Sequence, residues 1–292
     1  MVDEQAGASG ERVPVRTTFF GTSSIHVTDG ESSIMTDGFF SRPSLLRVRF
    51  GKCAPDQERI SDALAEGGIG ELDALFVAHS HLDHAMDSPE VARRTGATLY
   101  GSESTLNVGR GWDLGEDTMT LMADGDEFTI GAFRVRVFEG EHSPGDYAPG
   151  VIAEPLTPPC SAKDYRTGGC FSFHVTHPDG SILIHPSANY VAHQFDGLDV
   201  DTLYLGVGGL GSQSTDFQDS YWRHVVEATD PDLIIPVHWD NFGRSLRKPL
   251  RPLPFFIDNF TKTRKLLQDK TANTVTEVRF QGTFETIEPL AG

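Results

Sequence analysis

The chain has 292 residues, enough to bury one substantial core or two small ones. Its 24 Lys and Arg against 42 Asp and Glu give a net charge of −18, which repels nucleic acid and anionic membrane surfaces from the molecule as a whole but does not exclude a local basic patch. Three cysteines, Cys53, Cys160 and Cys170, make no even disulfide framework, the N-terminus shows no basic-then-apolar leader, and no apolar run approaches a membrane span. A cytoplasmic protein acting on a small molecule is expected, with no nucleic-acid partner and no membrane span; composition does not set the oligomeric state. Cys160 and Cys170 could pair or ligate a metal, although ordinary thiols are the plainer expectation.

Residues 1–12 are small and polar and read as a disordered N-terminus; 13–292 read as one domain. Residues 15–20 and 23–27 alternate as strands around Gly21, residues 28–31 form a hairpin turn, and 33–36 add a strand that ends at Asp37-Gly38. Phe39 and Phe40 follow, core by default. Arg42, Arg47 and Arg49 read as solvated charges. Residues 55–66 are a helix stopped by Gly67-Gly68, 74–78 a buried strand, 88–95 a helix with Ser88 and Pro89 at its start, and 97–100 a strand. Strand, helix, strand predicts a βαβ crossover.

Residues 101–125 are polar and glycine-rich with no element assigned. Strands at 127–130 and 133–138 run into His142-Ser143-Pro144-Gly145. Residues 145–169 carry Pro149, Pro155, Pro158 and Pro159 and read as an irregular insertion of the functional-loop kind, with Tyr165 and Arg166 as polar anchors. Strands at 171–176 and 181–184 flank Pro178-Asp179-Gly180 and lead to His185-Pro186-Ser187-Ala188. A strand at 203–207 precedes Gly208-Gly209-Leu210-Gly211, which lacks the spacing of a phosphate loop and instead lets backbone pass closely. A helix at 220–228, a buried strand at 233–237 ending in His238-Trp239-Asp240, a helix at 260–270 and strands at 275–280 and 283–287 close the chain.

The chemistry concentrates at the end of the 74–78 strand, where His79, His81, Asp83 and His84 fall within six residues. Three imidazoles and a carboxylate there are costly unless something pairs them, and a metal ion is the natural partner for those donors. In an extended turn His79 and His81 point to one side and share one ion. Asp83 and His84 fall where the chain turns into the next helix and can serve a second.

This stretch resembles the His-x-His-x-Asp-His signature of the metallo-β-lactamase-fold superfamily, matched at every defined position. The resemblance covers about residues 15–288 and implies an α/β fold, a four-layer αββα sandwich, with the site along one edge of its two sheets. It implies that His142 completes a three-nitrogen site with His79 and His81, that His238 joins Asp83 and His84 in a second site, and that Asp37 supports the histidine loop from behind. The sequence departs from the family where an Asp usually bridges two ions: Ser187 stands there, a poor ligand beside a carboxylate. Asp240 could take part in its place, and His185 or His193 could compensate. The Pro236-Val237-His238-Trp239-Asp240 ending looks closest to the lactonase and phospholipase-D-like branch.

The resemblance implies a hydrolase in which a metal-activated water cleaves an ester, lactone, amide or phosphodiester, with one or two zinc ions, or alternatively iron or manganese. Asp83 could act as general base where the second site is empty. Phe39, Phe40, Tyr165 and Trp239 are the candidate substrate walls. The alternatives are a mononuclear iron oxygenase or other redox member of the same fold, and a non-catalytic metal-binding protein.

Overall fold

Alternation of side chains along short apolar strands sorts this chain into layers. The structure is a computed structural model and describes residues 13–290. The N-terminus expected to be disordered, residues 1–12, lies outside the described residues. In the first half, β1 (Arg16–Phe19), β2 (Ile25–Thr28), β3 (Ser33–Thr36), β4 (Ala74–Phe76), β5 (Thr98–Gly101) and β6 (Met119–Leu121) build one sheet. In the second half, β7 (Glu127–Ile130), β8 (Phe133–Gly140), β9 (Cys170–His177), β10 (Gly180–His185), β11 (Thr202–Gly206), β12 (Leu233–Val237) and β13 (Glu277–Val278) build the other. The last strand, β14 (Thr286–Ile287), returns to pair antiparallel with β1, so both sheets have seven strands.

The sheets face each other. Ala74 and Phe76 pack inward with Val135, Phe173, Ile182, Ile184, Ile235 and Val237 from the opposite sheet. Their sequence neighbours Leu75 and Val77 point outward, as the two-residue period of a strand requires. The outward face of the first sheet is covered by α2 (Gln57–Glu66), α4 (Ser88–Thr95) and α5 (Glu103–Gly111), through Ile60, Leu64, Val91 and Leu106. The short α1 (Leu45–Phe50) and α3 (Leu82–Ala85) lie nearer the site. On the second sheet, Leu183, Leu203, Leu205 and Ile234 turn outward. They meet α6 (Thr215–Tyr221), its continuation as a π-turn (Trp222–Glu227), and α7 (Phe260–Thr271). Helix, sheet, sheet, helix is the αββα sandwich the sequence predicts. Each fully buried Leu, Ile or Phe contributes about 1.5–3 kcal/mol of transfer free energy.

Pairing aims several strand ends at one edge. Strands β3, β4 and β5 are mutually parallel, and so are β10, β11 and β12. The β4–β5 pair confirms a parallel crossover through α3 and α4. Asp37, His79, His142, Ser187 and His238 all follow the C-terminal ends of strands, where open α/β sheets place their ligands.

Four local expectations need correction. Residues 103–111 form a helix capped by the Ser102 side chain, and 119–121 form a strand. The glycines there serve close approach rather than a loop: a Cβ on Gly109 would lie 2.5 Å from the Met119 sulfur, and one on Gly111 would lie 2.0 Å from the Leu156 carbonyl oxygen. Residues 45–50 also form a helix, capped by Ser44. The helix expected at 220–228 starts earlier, capped by Ser214, and widens into the π-turn. Finally, Arg42 is not solvated: it is buried in an ion pair with Asp240.

Candidate metal centre

Two clusters of donor atoms meet at the strand ends. One holds His79, His81 and His142, the other Asp83, His84 and His238, and within each the donor atoms lie within 4.8 Å of one another. The rings of His79, His81 and His142 stand nearly perpendicular, 78–83° apart, with centroids 4.7–4.8 Å from each other. They form a three-sided cup. In the second cluster the Nε2 atoms of His84 and His238 are 3.2 Å apart, and an Asp83 carboxylate oxygen lies 3.3 Å from His238 Nε2.

Three of the rings, those of His84, His142 and His81, are oriented from behind. His84 Nδ1 donates to Asp37 at 2.8 Å, which leaves its Nε2 lone pair facing the cluster. Asp37 also accepts from Ser23 Oγ at 2.5 Å and from the Ala78 amide at 2.8 Å. Asp37 is thus fully buried and fully bonded, at a left-handed φ of 58° that places its carboxylate under the loop. His142 Nδ1 donates to the Ser143 carbonyl at 2.9 Å, freeing Nε2. His81 uses the other nitrogen: Nε2 sits 3.1 Å from Asp146 and 3.2 Å from Thr167 Oγ1, freeing Nδ1. Thr167 in turn donates to Asp146. His238 also has a left-handed φ, 59°, and its amide donates to Thr22 O at 2.6 Å. Gly208 makes room for it, since a Cβ there would lie 2.9 Å from His238 Nδ1.

His79 has no such support. It is 1% exposed, and neither ring nitrogen has a hydrogen-bond partner. Leaving a buried polar group unpaired costs about 1–3 kcal/mol. The two facing Nε2 atoms of His84 and His238 likewise gain only when a proton or cation lies between them. These residues therefore fit divalent ions of the kind that accept imidazole and carboxylate.

The ionisation pattern agrees. Burial holds His79 well below the ordinary histidine range, and the neighbouring imidazoles push the same way. Burial also lowers His81, against the opposing charges of Asp83 and Asp146, and it brings His142 down to about 4. All three are neutral near pH 7, as metal ligands must be. Burial alone would raise the Asp83 carboxyl, but His84 and the bond to His238 outweigh it and hold it far below the usual range. For His238, burial is outweighed by Asp83 and Asp240, and its pKa rises.

Other expected residues lie elsewhere. Asp240 takes no place among the donors, because its carboxylate is paired with Arg42 and accepts the Thr22 amide at 2.7 Å. Ser187 lines the cavity over the clusters, and its hydroxyl accepts from the Cys170 thiol at 3.3 Å. Cys170, pushed up to about 12 by burial, stays a thiol, and the three cysteines are free. His185 is bonded to Ser172 and Asn189 behind β10, and His193 is exposed beside Asp196.

The cavity measures about 650 Å3 and its walls are mainly apolar. Phe39, Phe40, Tyr165 and Trp239 do not form those walls. Phe39, Phe40 and Tyr165 are at most 1% exposed in the core beneath α2 and α4, and Trp239 stacks on Phe260 in the core beneath α7. The walls come from α1 through Leu45 and Val48, and from Phe242, Leu253, Phe256 and Ile257. Sequence reasoning missed these positions because the 42–50 stretch mixes Arg with apolar residues at no clean period. It also missed Asp146, which looks like any turn Asp.

A family model described as a beta-lactamase superfamily domain matches residues 16–238. The chain belongs to the β-lactamase superfamily. Among superfamily relatives, a UPF0173 protein of Pyrococcus furiosus is 23% identical over 62% of this chain and 72% of its own length. A hydroxyacylglutathione hydrolase of Brucella anthropi is 36% identical over 29% of this chain and only 30% of its own. The metallo-hydrolase Igni18 of Ignicoccus hospitalis superposes with a TM-score of 0.55 at 17% identity, covering 94% of this chain and 97% of Igni18. The diiron β-hydroxylase CmlA of Streptomyces venezuelae gives 0.60 at 14% identity, over 95% of this chain and 54% of CmlA. These likenesses confirm the metallo-β-lactamase fold. Among the described residues no helix is long and apolar enough to cross a membrane.

Proposed function

We propose that this superfamily member is a metal-dependent hydrolase of a small, largely apolar substrate carrying an ester, lactone, amide or phosphodiester bond. The observation that carries the reading is the fully buried His79, its ring nitrogens unpaired, at the floor of an apolar cavity beside five further donor residues. His79, His81 and His142 would hold one ion, and Asp83, His84 and His238 a second. Bound there, zinc or a similar ion supplies Lewis acidity, which polarises a carbonyl or phosphoryl oxygen and makes water nucleophilic near neutral pH.

The chain's own residues do the rest. Asp37 and Asp146 hold His84 and His81 in single tautomers, so the donor atoms are set before substrate arrives. Asp83 is ionised at neutral pH, and where only the three-histidine site is filled it can accept the proton of an attacking water. Ser187, at the position where the resemblance would put a bridging carboxylate, brings no charge to the cavity, which favours that one-ion arrangement. The α1 and 253–257 walls hold the apolar part of the substrate and exclude bulk water.

Metal content of protein purified without added metal, with turnover of lactone and phosphodiester panels, tests this. One or two zinc equivalents with turnover are expected. A second reading, an iron oxygenase, rests on the donor set of imidazole and carboxylate without thiolate, which accepts iron equally. One iron per chain and no hydrolysis would put it first. Metal binding with no turnover of any kind would make the chain a binding protein.

A further inference from the structure

The cavity opens through a rim unlike the rest of the surface. Helix α1 has no buried residue, and its Leu46 and Phe50 are 75% and 79% exposed. The neighbouring lip carries Phe255, Phe256 and Ile257, exposed by 82%, 75% and 51%. The two stretches adjoin, since a Cβ on Gly243 would lie 2.9 Å from the Leu45 backbone nitrogen. Phe50, Phe256 and Ile257 also line the cavity. Large apolar side chains gathered at one mouth mark a contact surface.

The charge there is inverted. Residues 42–55 and 241–257 hold eight of the 24 Lys and Arg and none of the 42 Asp and Glu. Arg42 and Arg247 are spent on Asp240 and Asp62. Arg47, Arg49, Lys52, Lys248 and Arg251 are exposed and make no ion pair among the described residues. Arg49 lies over the Phe50 ring, 5.1 Å from its centroid, so charge and apolar face adjoin. Acidic groups gather instead around a second hollow, lined by Glu139, Glu141 and Asp146.

We infer that the rim formed by α1 and residues 244–257 docks on an anionic lipid bilayer. Exposed aromatic and aliphatic side chains enter the headgroup region while flanking basic groups meet lipid phosphate, the pairing that interfacial segments use. A second copy docking rim to rim would set like charges together. A nucleic-acid strand would want a continuous basic groove rather than leucine and isoleucine. The expectation of repulsion from anionic membranes holds for the molecule's overall charge, and the rim is the local exception.

Sedimentation of the full chain with phosphatidylcholine vesicles, with and without about one-third phosphatidylglycerol, tests the inference. The anionic vesicles should be preferred, and binding should fall steeply toward about 1 M salt as the screening length shortens to about 3 Å. Phe50→Ser with Phe256→Ser should weaken binding about tenfold or more. Arg47→Glu with Arg49→Glu should weaken it at least about 25-fold, at about fivefold per basic group. Unchanged melting temperatures would show that both variants fold, as expected for exposed side chains. Equal binding to both vesicle types, or unchanged binding in both variants, overturns the inference. So does a dimer that the same variants dissociate without vesicle binding, or capture of a single-stranded oligonucleotide in place of vesicles. Metal-free protein serves for these measurements, so their failure is separate from failure of the hydrolase reading.

Discussion

His79 and His185 are both buried histidines at the ends of central strands, β4 and β10, yet their surroundings are opposite. His185 accepts from Ser172 Oγ at 2.7 Å through Nδ1 and donates to the Asn189 carbonyl at 2.8 Å through Nε2, which fixes one neutral tautomer with both nitrogens satisfied. His79 has neither nitrogen satisfied, and three other rings crowd it within centroid distances of 3.7–4.8 Å. Burial alone therefore does not mark a functional histidine. What distinguishes the candidate metal centre is hydrogen-bonding capacity left open where it is expensive to leave it open.

The sharpest way to break this contrast is to truncate both residues. His79→Ala should lower turnover by about three orders of magnitude and remove metal from the first cluster. His185→Ala should leave metal content intact. Equal metal content in both variants, measured by plasma emission, would mean that the open nitrogens of His79 hold nothing.

The supports behind the two clusters sharpen the contrast further. Asp37→Asn puts an amide donor against the His84 N–H or the Ala78 N–H and should weaken metal at the second cluster by up to about 100-fold. Asp146→Asn acts on His81 from a partly exposed loop, where Thr167 also reaches the ring. It should cost the first cluster only about tenfold. Metal titration of each variant reads this order, and a reversal would show that the insertion rather than the core sets the site.

The smallest effect is one of stability and belongs to His185. Its pKa in the folded chain is lowered by burial to about 4, below the ordinary value of 6.5. As pH falls, the unfolded chain takes up this proton first. The contribution to stability is complete above about pH 6.5 and is lost as pH falls toward 4. At pH 5 the loss is about 2 kcal/mol, and urea midpoints of wild type and His185→Gln should show the variant less acid-sensitive by that amount.

Much of this was legible in the chain itself. Short, nearly continuous apolar runs at 74–78, 181–184, 203–207 and 233–237 marked the buried strands, because a strand between two layers buries both of its faces. The spacing of His79, His81, Asp83 and His84 announced both donor clusters, because donors that close in sequence at a strand end have little freedom to part. Position 187 stood out only against the family resemblance, which implies a carboxylate where the chain has a hydroxyl.

Only the tertiary structure decided which aromatics line the cavity. Phe39 and Phe40 are as apolar as Phe242 and Phe256, and exposure depends on what packs above them, in this case α2 and α4, rather than on residue type. Asp146 became the partner of His81, and Asp240 that of Arg42, through contacts 65 and 198 residues apart in sequence. Local pattern carries no signal for pairings at such range, because they depend on how sheets and loops close in space. The basic rim arose the same way: two stretches of modest charge become one patch only where the 241–257 loop folds against α1.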